Sequence, residues 1–210
     1  MELERAGGNC LVITTKKAKL IVDPILSNLK PKAQADQSVV QLLTQPIFAI
    51  PMPEDTLTLD CPGEYEILDI SIKGIAARAY NDPKTDPMRA TMYRIDAGGA
   101  SLVITGHVFP ELSDSQLEAI GVVDILAVPI GNNGYTLDSA GAIQIIRAVD
   151  PKVVIPTHYA EVGVSYPIPQ AELDTFIKEL GAPKEEVTKL KPKTGALGEA
   201  LMVYELQKAK

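Results

Sequence analysis

LDSAGAIQIIRAVD at residues 137–150 runs directly into PKVVIPTHY at 151–159, and the change of rhythm between them decides the fold. The first stretch reads as a helix, with Asp138 or Ser139 as candidate caps for the orphan N–H groups of its first turn. The second is a run of apolar and β-branched residues ending in a histidine, and it reads as a buried strand. On the N-terminal side the pattern repeats: SDSQLEAIG (113–121) is a short helix, followed by DILAVPI (124–130) as a buried strand. Ser113 can cap that helix, Leu117 and Ile120 supply its apolar stripe, and Gly121 ends it. On the C-terminal side PQAELDTFIKELG (169–181) reads as an amphipathic helix closed by Gly181, and ALMVYEL (200–206) as a last strand. Strands that alternate with helices imply a sheet covered by helices.

The first half has another character. NCLVIT (9–14) and KLIVD (19–23) form a hairpin through TKKAK, and Pro24 stops its second strand because proline has no N–H for a ladder. Residues 25–38 read as loop, SVVQLL (38–43) as a short strand or helical turn, and PIFAIPMPE (46–54) as irregular or an edge strand. TLTLD, CPGEYEI and ISIKGIAARAY alternate, with a Pro-Gly turn at 62–63. NDPKTDPM (81–88) reads as loop, and ATMYRIDAGGASLVIT (90–105) as a hairpin through Ala97-Gly98-Gly99. No G-x-G-x-x-G follows a strand and hairpins open the chain, which disfavours a Rossmann fold.

The 210 residues suit one domain, 1–210. A net charge of −7 argues against a protein that tracks nucleic-acid phosphates. No apolar run is long enough to span a membrane and MELERAGGN carries no signal region, so the chain reads as soluble and cytoplasmic. Cys10 and Cys61 make neither a disulfide framework nor a Cys-x-x-Cys knuckle and read as small buried apolar residues. The absence of G-x-S-x-G excludes a serine-hydrolase elbow, and no spacing supports pairing of Cys61 with a histidine.

VDP (22–24), PGEYEI (62–67), SLVITGH (101–107), LSDSQLEAIGVVDILAVPIG (112–131) and AIQIIRAVDPKVVIPTHY (142–159) follow one another in an order that resembles the metallo-β-lactamase-fold hydrolases. The resemblance is to their small branch akin to the ascorbate-6-phosphate lactonases, and it covers roughly residues 1–160. It implies an α/β fold, a four-layer αββα sandwich with a metal pocket at one edge between two sheets. It also implies ligands that this chain lacks. The family's His-x-His-x-Asp-His motif falls on ADQSVVQLLTQPIFAIP (35–51), which has no histidine and a single carboxylate, Asp36. Where a mid-chain His-Asp is due, Tyr80 or Asn81 precedes Asp82. The Gly-Asp pair that bridges two metals is here Gly106-His107, and His158 alone matches a family ligand outright.

A catalytic zinc commonly takes three protein ligands and a water, and two metals take about twice as many. The chain is therefore expected to be a family member that has lost the motif. It is then a pseudoenzyme that binds an unidentified protein or small molecule and needs no cofactor. Its ancestral pocket holds His107, His158, Asp82, Asn81, Asp23 and Tyr135. The alternative is a metal-dependent hydrolase of phosphoesters or lactones, with a single Zn2+ or other divalent ion held by His107, His158 and Asp82. A third reading is metal-free acid–base work by a histidine in the same pocket. His107 and His158 are expected at the ends of adjacent strands. Asp23 is either an orienting partner for a pocket histidine or a strand-end cap. The loop Gly131-Asn132-Asn133-Gly134-Tyr135 reads first as a turn tolerant of positive φ. Residues 184–193 read as a solvated, mixed-charge face.

Overall fold

The computed structural model describes residues 1–27, 38–54, 56–83, 88–192 and 197–208. Two sheets stack face to face. The first is ordered β1-β2-β3-β4-β5, from Glu2–Gly7, Cys10–Thr14, Ala18–Val22, Ser38–Leu42 and Leu57–Leu59. Its first three strands are antiparallel and β3, β4 and β5 run parallel. The second sheet contains β6 (Gly63–Ile67), β7 (Ile70–Ala77), β8 (Ala90–Ala97), β9 (Ala100–Ile104), β10 (Ile125–Pro129), β11 (Val153–Thr157), β12 (Lys184–Val187) and β13 (Met202–Leu206). Its order is β12-β13-β11-β10-β9-β8-β7-β6. The hairpins β6 to β9 give way to parallel pairing from β9 through β10 and β11 to β13 and β12.

Between the sheets lie Leu11, Ile13, Leu20, Val22 and Leu42 from one side and Ile72, Tyr93, Ile95, Leu102 and Ile155 from the other. Each such residue contributes about 1.5–3 kcal/mol by leaving water. Helices α1 (Asp114–Ile120), α2 (Ser139–Val149) and α3 (Leu173–Leu180) cover the other face of the second sheet, packing Ile120, Ile145, Ile146 and Phe176 over Val103, Leu126, Val128 and Val154. The α/β two-sheet fold expected from the sequence is thus present. On the outer face of the first sheet Ala6, Cys10, Val12 and Ile21 cluster with Val39 and Met52. No described residue there belongs to an α-helix.

The expected caps hold. Ser113 and Gln116 form a reciprocal capping box on α1, and Asp138 accepts from Gly141 N–H at the start of α2. Several boundaries differ. β1 is absent from the sequence reading, yet Leu3 is buried between half-buried Glu2 and Glu4, and the strand is buried from Arg5 to Gly7. Residues 184–187 are a strand, not a loose solvated face. Their charges sit on a sheet edge, as edge strands favour, and Lys184 pairs with Glu205 at 2.6 Å. Helix α3 begins at Leu173 rather than 169, because Ala160 N–H and Ala171 N–H bind Ala171 and Gly131 carbonyls and hold the preceding segment extended. The Pro62-Gly63 turn passes the chain from one sheet to the other. Cys61 is exposed, unlike buried Cys10. Most of the loop at 25–38, with Asp36, and positions 84–87 of the loop at 81–88 lie outside the described residues. Among the described residues no helix is long and apolar enough to cross a membrane.

Candidate functional site

Three parallel strands, β9, β10 and β11, end on the same edge, the usual place for functional loops in such sheets. The loop after β9 supplies His107, the loop after β10 supplies Tyr135, and His158 follows the last residue of β11. The two histidines do not stand on adjacent strands, as the sequence reading had it: β10 lies between β9 and β11. The rings meet over its end, with centroids 4.5 Å apart and planes at 88°.

Backbone geometry fixes both imidazoles. His158 has φ 51°, a left-handed conformation uncommon for a non-glycine residue, and its N–H donates to the Gly8 carbonyl at 3.0 Å. Gly106, just before His107, has φ +63°, and a Cβ there would stand 2.4 Å from Thr44 Oγ1. Glycine is therefore required for β9 to pass that close to the loop after β4. Asn132, Asn133 and Gly134 all have positive φ, so the 131–135 loop is the turn expected, and it also delivers Tyr135 to the site.

The surroundings are aromatic. Phe48 and Tyr135 lie 4.9 and 5.2 Å from the His107 ring, and Tyr135 and Tyr166 lie 5.4 and 4.8 Å from His158. His107 is 3% exposed and His158 1%. Burial holds the His107 imidazole well below its usual range, with the neighbouring His158 adding to the effect, and burial lowers His158 to about 4. Both rings are neutral at neutral pH. His107 Nε2 and both ring nitrogens of His158 are buried without a hydrogen-bond partner.

Asp23 does not touch the histidines through its side chain. Its carboxylate accepts Asn9 Nδ2 at 2.7 Å, Thr44 N–H at 2.8 Å and Thr44 Oγ1 at 2.5 Å. Asn9 in turn accepts the Thr157 hydroxyl at 2.6 Å, which links Asp23 to the residue before His158. Burial still raises the Asp23 carboxyl to about 6 against these three donors. Asp82 is half-buried and Asn81 exposed, and both line a cavity of about 200 Å3 with His107, Tyr135, Phe48 and Tyr80. Asn9, Thr44, Phe48, Thr157 and Tyr166 belong to the site without having been read from the sequence.

A metal of the family's kind needs at least three convergent donors. The unpartnered imidazole nitrogens offer two side chains. Asp23 is committed to Asn9 and Thr44. Among the described residues no three His, Cys, Asp or Glu side chains group closely enough to hold an ion, so His107, His158 and Asp82 do not form such a set. The side chains of the described residues do not fit the metal.

Residues 2–158 match the family model described as the beta-lactamase superfamily domain, and the match ends on His158. A metal-dependent hydrolase of Carboxydothermus hydrogenoformans is 34% identical over 84 residues, which is 40% of this chain and 35% of that protein. A metal-dependent hydrolase of Thermoplasma acidophilum is 43% identical over 47 residues, 21% of this chain and 20% of that one. The matched segments thus span about a third or less of these relatives. A metallo-β-lactamase superfamily protein of Thermotoga maritima superimposes with a TM-score of 0.74 at 20% identity, over 98% of this chain and 100% of its own. The isothiocyanate hydrolase from Delia radicum gut bacteria superimposes with a TM-score of 0.62 at 13% identity, over 97% and 96%. With three-quarters of its length inside the family model and the two-sheet sandwich to match, this chain belongs to the beta-lactamase superfamily.

Proposed function

We propose that this chain is a binding member of the superfamily, taking a small molecule in the cavity beside His107, and that it does not work as a dinuclear zinc hydrolase. One observation carries the reading. The site's two histidines pack edge-to-face inside a wall of aromatic rings, and no third ligating side chain joins them among the described residues. Neutral imidazoles in an apolar box suit recognition of a ligand with hydrogen-bonding groups and a hydrophobic body. The acidic chain favours neither nucleic acid nor an anionic membrane as partner.

A second reading has its own support. Three imidazole nitrogens are buried without partners, and unpaired buried polar atoms are costly. A single divalent ion would take one nitrogen from each ring in a reduced hydrolase site, with phosphoesters or lactones as substrates. Elemental mass spectrometry on untagged protein, beside His158→Ala, separates the two. The binding reading expects metal far below one equivalent in both proteins and no rise in melting temperature on adding zinc. Near one equivalent, lost in the variant, overturns it.

A further inference from the structure

The cavity beside His107 has a chemical bias that narrows its ligand, an argument resting on the binding reading above. Its ring walls are Phe48, Tyr80 and Tyr135, with His107 among them, and among the described residues Asp82 is the one charged side chain lining it. The Asp82 Oδ2 atom is buried without a hydrogen-bond partner, as is Nε2 of His107. Arg78 makes no ion pair with that carboxylate. Its Nε donates to the Asp82 backbone carbonyl at 3.0 Å, and its guanidinium stacks 3.6 Å over the Phe109 ring, outside the cavity. Among the described residues no ion pair reaches Asp82.

The unfilled carboxylate oxygen calls for a donor. A carboxylate among aromatic rings favours a cation, because the face of a ring carries negative quadrupole density. The volume, about 200 Å3, equals roughly seven waters at about 30 Å3 each, which admits a ligand of about the bulk of benzylamine. We propose that this cavity binds a small organic ammonium compound through the Asp82 carboxylate and the rings of Phe48, Tyr80 and Tyr135.

Isothermal titration calorimetry near neutral pH with benzylamine, benzyl alcohol and benzoate tests this. The three probes share a ring and differ in charge. Benzylamine is expected to bind, with the alcohol and the carboxylate at least tenfold weaker. Asp82→Asn should weaken benzylamine at least tenfold while its melting temperature stays near that of the wild type. Tyr135→Leu, which leaves the carboxylate in place, should also weaken it. No heat from benzylamine, equal binding of all three probes, or full affinity in Asp82→Asn overturns the assignment. Preferential binding of benzoate, lost in Tyr135→Leu, overturns the ammonium class and leaves the binding reading standing. Stoichiometric metal lost in His158→Ala removes that reading and this inference with it.

Discussion

Thr44 donates both its backbone N–H and its hydroxyl to the buried carboxylate of Asp23, at 2.8 and 2.5 Å. With Asn9 as third donor, the end of β3, the loop before β2 and the loop after β4 are tied behind the histidine pair. Asp23 pays for this with φ 44°, a left-handed backbone that persists where surrounding contacts over-determine it. Thr44→Val keeps the shape and the N–H but removes the hydroxyl. It should destabilise the fold by about 1.5–3 kcal/mol, the range for losing a hydrogen bond to a buried charged group, read by chemical denaturation at pH 7.

Asp23 and His158 oppose one another in acid. His158 titrates near 4 in the fold against 6.5 ordinarily, so the unfolded chain takes up its proton first and stability is lost as pH falls through that window. Asp23 titrates near 6 against 3.8, so the fold takes up that proton first and stability is gained as pH falls from about 6 toward 3.8. Each effect is of order 3 kcal/mol at full extent. Asp23→Asn removes the gain and keeps the loss. Its stability should drop between pH 7 and 4.5 by about 2 kcal/mol more than that of the wild type. Equal drops would show that Asp23 titrates normally.

Arg5 and Glu161 form a buried ion pair at 2.6 Å that joins β1 to the segment after His158. Arg5 also donates to the Tyr159 hydroxyl and the Leu206 carbonyl, each at 2.9 Å. Arg5→Met or Glu161→Leu alone strands a buried charge and should cost about 3–5 kcal/mol. The double variant should cost much less than the sum, which a double-mutant cycle in urea measures.

Much of the second sheet could be read directly from residue order. In α1, α2, β10 and β11 local propensity, caps and burial all agree, so period and capping residues sufficed. β1 and β12 escaped because their residues are largely charged and only the neighbouring strands make them strands. Residue order groups both histidines in one pocket on adjacent strands; in the fold His107 lines the cavity, His158 is not among its lining residues, and β10 stands between their strands. The residues behind them carry no local signal. Asn9 and Thr157 are 148 positions apart and meet only after the sheets stack. Phe48 sits in a proline-punctuated stretch with no periodicity at all.

Gly131 bears on the site directly. A Cβ there would stand 2.2 Å from the His158 carbonyl and 2.0 Å from Gln170 Oε1. The amide can swing away, but the backbone carbonyl cannot without moving the histidine. Gly131→Ala should cost about 1–3 kcal/mol and shift the His158 ring resonances in an NMR spectrum.

The central claim is that His107 and His158 are a neutral pair serving a ligand pocket rather than metal ligands. Long-range 15N–1H spectra of the two imidazoles, recorded at neutral pH while zinc is titrated to one equivalent, test it most directly. The account predicts two neutral rings whose nitrogen resonances stay in place throughout. Both rings shifting together and saturating at one zinc per chain would contradict it.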